Sequence, residues 1–128
     1  MQNLYNKNVF RKVLKGTKVT NSLPKTSNGT TTTAAADASL DRNVLIVVEV
    51  TETFANGSGA QPTFKLGETS TTDKFSATAL LTDAVLGDKF VLTGKNLATK
   101  ALLVTSVAAT GTATGAIKVS TGIFAVTE

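Results

Sequence analysis

Residues 43–54, NVLIVVEVTETF, alternate with a period of two. Val44, Ile46, Val48 and Val50 fall on one face, and Glu49, Thr51 and Thr53 fall on the other. A strand that is apolar on one side only must be covered by a second layer. The same rhythm returns in TFKLGET (63–69), with Phe64 and Leu66 inward, and in KFVLTG (89–94), with Phe90 and Leu92 inward. A further strand is read over 100–108. The last strand places Ile117, Val119, Thr121 and Ile123 opposite Lys118 and Ser120. Turn-forming stretches separate these segments: ANGSGAQP (55–62), KNLATK (95–100) and ATGTATG (109–115). Threonine, which occurs 23 times, is stiff at χ1 like valine and fits a pleated surface. The expected fold is therefore all-β, an antiparallel β-sandwich of jelly-roll-like character.

Two stretches carry more specific expectations. In STTDKFSATALLTDAVLGD (70–88), Ser70 to Asp73 are placed to cap a short helix carrying Phe75, Ala79 and Leu80, with Gly87 ending another turn. Residues 101–126 read as a hairpin with one face in the core. Lys118 is their only charge, and the small outward Ala, Ser, Thr and Gly residues permit close approach of another surface. Uncharged exposed strands are an aggregation hazard unless something covers them.

The charge of the chain is unevenly spread. Residues 1–42 carry seven Lys and Arg against Asp37 and Asp41, a net +5; residues 43–128 carry six Lys against seven acids, a net −1. The first segment, MQNLYNKNVFRKVLKGTKVT, has near-helical spacing from Leu4 to Leu14, while Val13, Lys15, Thr17 and Val19 fit a short strand equally well. Residues 21–40 follow as a low-complexity Ser/Thr/Ala/Asn stretch, read as a linker or extended arm. The division expected is a basic arm and linker at 1–42 and a β-sandwich body at 43–128. Partner-binding residues expected in the arm are Leu4, Tyr5, Lys7, Phe10, Arg11, Lys12, Lys15 and Lys18, the apolar members anchoring and the basic members meeting acidic groups.

Catalytic chemistry finds little to work with. The chain has no His and no Cys, which removes the common triads, imidazole and thiolate metal ligands, and disulfides. Nothing marks out a Ser–Lys dyad. Glu49 and Glu52 fall on opposite faces of a strand, the wrong arrangement for a carboxylate dyad. Asp83 and Asp88 bracket a turn; stabilising that turn is their commoner use, and Ca²⁺ ligation is the alternative. GTATG (111–115) lacks the Gly-Lys-Ser/Thr ending of a phosphate-binding loop. Phe54, Phe64, Phe75, Phe90 and Phe124 sit among apolar residues and are expected in the core, which leaves no aromatic platform for sugars or single-stranded nucleic acid. No cofactor, membrane contact or specific nucleic acid is expected, and with no apolar leader the chain is expected to be made in the cytoplasm.

A His-free, Cys-free β domain behind a basic N-terminal arm resembles the virion structural proteins of tailed bacteriophages, especially head decoration (cement) and head-fibre proteins. The segments that carry the likeness are NVLIVVEVTETF, TFKLGETSTTDKF and KALLVTSVAATGTATGAIKVSTGIF, spanning about residues 43–126. The resemblance implies a non-enzymatic homo-oligomer, often a trimer, that binds the major capsid protein or other subunits in the virion. A tail, neck or fibre component, or a cell-surface adhesion domain, is the alternative.

Overall fold

A computed structural model describes residues 18–36, 42–76, 78–97 and 99–124. They form eight strands: β1 (Lys18–Leu23), β2 (Gly29–Ala34), β3 (Arg42–Ala55), β4 (Thr63–Glu68), β5 (Thr71–Ser76), β6 (Lys89–Asn96), β7 (Leu102–Val107) and β8 (Thr114–Phe124). A single 3-10 turn, Thr78–Leu81, separates β5 from β6. The strands make two antiparallel four-stranded sheets, β1-β8-β3-β6 and β2-β7-β4-β5. The expected all-β sandwich is therefore observed.

Pairing in the sheets is nested. Strand β1 pairs with β8, β2 with β7, β3 with β6 and β4 with β5, and the ribbon so formed is rolled until β3 also meets β8 and β4 meets β7. Among the described strands only β4 and β5 form a hairpin within one sheet; every other consecutive pair crosses from sheet to sheet.

The inner faces follow the period-two pattern. Val44, Ile46, Val48 and Val50 of β3 and Ile117 and Val119 of β8 face Phe64 and Leu66 of β4 and Leu102 and Val104 of β7 across the core. Phe54 and Phe64 meet edge to face, with ring centroids 6.1 Å apart and planes at 81°. Phe75 and Phe90 are partly buried against the same cluster, so the core role expected for these four rings holds. Two register shifts in β3, between Val50 and Glu52 and between Glu52 and Ala55, place Thr51, Glu52 and Thr53 in solvent and return Phe54 to the core.

Three expectations are corrected. Residues 18–34, assigned to the arm and linker, supply an edge strand to each sheet, so the boundary at 42 does not separate arm from body. Leu23 is buried, Thr33 is buried, and Ala34 packs against the core. The few apolar side chains there suffice because each strand adds to a sheet that already exists. Residues 101–126 are not a hairpin: β7 and β8 lie in opposite sheets, joined by an arch over 108–113. Both present alternate apolar residues to one interior, which side-by-side pairing would also have satisfied. Residues 71–76 form a strand rather than a capped helix. β4 offers an open edge there, and Phe75 lies so close over Gly94 that a Cβ at that position would stand 2.5 Å from its ring. Tertiary pairing overrides the local helix-cap signal.

At one end of the sandwich a carboxylate is buried. Glu68 is 2 % exposed. Its Oε1 accepts from Lys74 Nζ at 2.9 Å, and its Oε2 accepts from Asn96 Nδ2 at 2.8 Å and from the Leu97 N–H at 3.1 Å. Asn96, fully buried, also donates to the Lys100 carbonyl at 3.0 Å. This clasp ties the β4–β5 hairpin in one sheet to the end of β6 in the other. Burial alone would raise the Glu68 pKa, but the hydrogen bonds from Lys74, Asn96 and Leu97 and the Lys74 charge outweigh it and hold the carboxyl below its ordinary 4.5.

Two outcomes follow from this architecture. Leu23→Ala should cost about 2–4 kcal/mol in denaturant unfolding, the range for a buried leucine; a change below about 0.5 kcal/mol would mean residues 18–23 do not belong to the sandwich. The depressed Glu68 pKa contributes stability that is present above the unfolded value near 4.5 and is lost as pH falls through the lower folded value. Glu68→Gln should lower stability at neutral pH by about 1–3 kcal/mol and flatten the acid limb of the melting-temperature profile relative to wild type. Parallel acid limbs would show that the carboxylate contributes nothing through its charge.

Candidate interaction surfaces

Of the arm residues expected to bind a partner, Leu4, Tyr5, Lys7, Phe10, Arg11, Lys12 and Lys15 lie outside the described residues, and Lys18 opens β1 opposite Gly122 of β8. The chain before Lys18 therefore enters at the end of the sandwich that holds the Glu68 clasp. The opposite end is made by the four connections β1–β2, β7–β8, β3–β4 and β5–β6.

These four connections are stitched together in that spatial order. The Ala109 N–H donates to the Lys25 carbonyl at 2.8 Å, linking the first to the second. The second and third exchange a set of bonds: the Thr110 N–H to the Ala60 carbonyl at 3.0 Å, the Ala60 N–H to Thr110 Oγ1 at 2.8 Å, and the Ser58 N–H to Thr112 Oγ1 at 2.9 Å. Gln61 then joins the third to the fourth, its Nε2 donating to Asp83 Oδ1 at 2.6 Å and its Oε1 accepting from the Asp83 N–H at 3.1 Å. A shallow concavity of about 370 Å³ lies over this last junction, floored by Gly59, Ala60, Pro62 and Thr63. It has no aromatic wall, and the Gln61 amide is already engaged with Asp83.

The β5–β6 connection is held more tightly than a surface turn requires. The Ala84 carbonyl accepts from the Phe54 N–H at 2.8 Å, the Val50 carbonyl accepts from the Gly87 N–H at 2.9 Å, and the Asp88 carbonyl accepts from the Val50 N–H at 2.9 Å. Thr53 Oγ1 accepts from the Leu86 N–H at 3.0 Å, and Asp88 Oδ2 accepts from the Val85 N–H at 3.1 Å. Asp83 and Gly87 adopt positive φ, 59° and 95°, to close the turn. Asp88 thus braces the turn with its side chain, while Asp83 bends the backbone there and bonds Gln61 of the neighbouring connection. On this fixed backbone Val85 and Leu86 stand 52 % and 65 % exposed. Sequence reading missed them, because DAVLGD looks like an ordinary turn and nothing local says that its two apolar residues face outward.

The outer face of sheet β1-β8-β3-β6 is the second surface. Its registers place Thr20, Ser120, Val47 and Val91 in one row and Gly122, Leu45 and Thr93 in the next. Val91 is 64 % exposed. Lys118, Glu49 and Lys89 form the flanking row, where Lys118 approaches Glu49 at 3.4 Å, and Lys95 flanks the other side. The uncharged surface expected around residues 101–126 is thus present in β8, but its apolar centre comes from Leu45 and Val47 of β3 and Val91 of β6.

Among the described residues no three or more His, Cys, Asp and Glu side chains come together as a metal site would need. Thr53→Val, which removes the hydroxyl that holds Leu86, should cost about 0.5–1.5 kcal/mol and speed amide exchange at Leu86 well beyond that at Val48; unchanged exchange would mean the turn is held without it. No protein-family model, curated protein or solved structure matches this chain.

Proposed function

We propose that this protein is a non-enzymatic structural subunit of a bacteriophage particle, of the head-decoration type, which binds the major capsid protein or neighbouring virion subunits in an assembled lattice. The observation that carries this reading is the nested pairing of eight strands, 1·8, 2·7, 3·6 and 4·5, rolled into two sheets. We read it as a double-sheet jelly roll, an architecture used by viral capsid domains and also by lectins and cupins. Fold alone does not choose among these uses. Three features favour the capsid one: no aromatic platform for sugar among the described residues, no histidine, and a sheet face with an uncharged centre where large partners rather than small ligands fit. The net +5 of residues 1–42 suits attachment to an acidic neighbour.

The sheet face centred on Leu45, Val47 and Val91 is the contact surface for assembly into a closed ring, with a trimer favoured because closure hides surface that would otherwise pair without limit. Light scattering of the full chain at micromolar concentration should give three times 13.2 kDa. Val91→Asp should reduce that mass while shifting stability by no more than about 0.5 kcal/mol, as befits an exposed position. An unchanged mass for the variant removes this face from the assembly. The decisive measurement is immunogold labelling and quantitative mass spectrometry of particles purified from the producing host. Labelling of the head surface supports decoration, labelling at the tail or neck moves the subunit there, and protein found only outside particles rejects the proposal.

A further inference from the structure

The rigid turn at Thr82–Asp88 and the basic segment before β1 are complementary in chemistry, and the turn lies at the opposite end of the body from Lys18, where β1 begins. We infer that the Val85–Leu86 turn of one copy is the docking site for residues 1–17 of a neighbouring copy. This deepens the reading of the protein as an assembling structural subunit and rests on it.

Charge decides between the turn and the sheet face around Val91. Residues 1–17 carry Lys7, Arg11, Lys12 and Lys15, no acid, and the apolar Leu4, Tyr5, Val9, Phe10, Val13 and Leu14. The sheet face around Val91 is flanked by Lys89, Lys95 and Lys118 against Glu49, and it repels such a segment. The turn offers Val85 and Leu86 with Asp83 and Asp88 on either side and the exposed Glu52 on the strand that supports it. Lys89 follows Asp88 directly, so the turn sets these three acids against one base, while Lys25 lies on the first of the four stitched connections and the turn is the fourth. Opposite charges of this kind speed and orient encounter, and the apolar pair supplies the buried contact.

Preorganisation favours the turn as well. The Phe54 N–H donating to the Ala84 carbonyl, the Val50 carbonyl accepting from Gly87 and the Thr53 hydroxyl accepting from Leu86 already fix the turn, so docking orders little that is not ordered beforehand. Direction then sets the mode of assembly. Strand β1 runs from Lys18 toward the stitched connections, so the segment joins at the far end, about 20 Å from the turn along the strand direction alone by the rise of a six-residue strand. Seventeen extended residues reach at most roughly 60 Å. A segment leaving one end and an acceptor at the other join copies head to tail, the arrangement that closes into a ring when the rotation permits.

The chain has no cysteine, so engineered thiols report this contact without interference. Full-length Phe10→Cys protein is mixed with full-length Leu86→Cys protein and treated with a short bismaleimide, with Val85→Cys as a second acceptor and Val91→Cys as the comparison. Each variant is first checked for a wild-type melting temperature. The expected result is a heterodimeric cross-link through Leu86→Cys or Val85→Cys several-fold faster than through Val91→Cys, slowed several-fold at about 1 M salt, where charges are screened beyond roughly 3 Å. Equal or faster reaction through Val91→Cys overturns the assignment. So does a Phe10→Cys/Leu86→Cys double variant that closes only within its own chain while the mixed single variants give no product. The assay contains no lattice: a cross-link in a protein absent from particles would leave this contact standing and remove the proposed function, and the reverse outcome would do the opposite.

Discussion

The apposition of β3 and β8 against β4 and β7 is the constraint on which the remaining structure depends. Each of these strands is apolar on alternate residues, and burying one such face at about 25 cal/mol per Å² requires a second sheet rather than a neighbouring strand. With Val44, Ile46, Val48 and Val50 committed inward, the outward residues of β3 are fixed too, and Leu45 and Val47 reach the surface because they alternate with the core. The half-buried Leu45 and Val47 on that outer face are thus a by-product of the same periodicity that builds the interior.

The two ends of the sandwich are secured by different chemistry. One has the buried Glu68 carboxylate, satisfied by Lys74, Asn96 and Leu97, which joins the sheets through charge-assisted hydrogen bonds in a setting where an unpaired charge would be costly. The other has neutral backbone and hydroxyl bonds running through four connections in a line. The stitched end finishes in a turn flanked by Asp83 and Asp88, and β1 begins with Lys18 at the clasped end.

Much of the sandwich was legible because period-two alternation is a local property. Strands over 43–54, 63–69 and 89–94 emerged within a residue or two of β3, β4 and β6. The segment at 71–76 was not legible, since Ser70 and Asp73 carry helix-cap signals that only the open edge of β4 and the contact of Phe75 over Gly94 override. Residues 21–34 read as part of a linker or extended arm for the related reason that an edge strand such as GTTTTA needs almost no apolar content of its own when β7 supplies its hydrogen-bond partners. Of the interaction surfaces, the uncharged outer face of β8 was visible in its composition, whereas Val85, Leu86 and Val91 looked like any other apolar residues.

By itself, then, the sequence determined the class of structure and the location of the chain's charge, because strand periodicity and net charge are carried by neighbouring residues. Tertiary structure alone decided which strands are neighbours and which apolar residues are left outside. The connection over 108–113 shows why. ATGTATG can close a hairpin or arch between sheets, and both bury Val104, Ile117 and Val119 on the same side of their strands. The choice is made by β3, which pairs with β8 on one edge and β6 on the other, leaving β7 to complete the opposite sheet between β2 and β4.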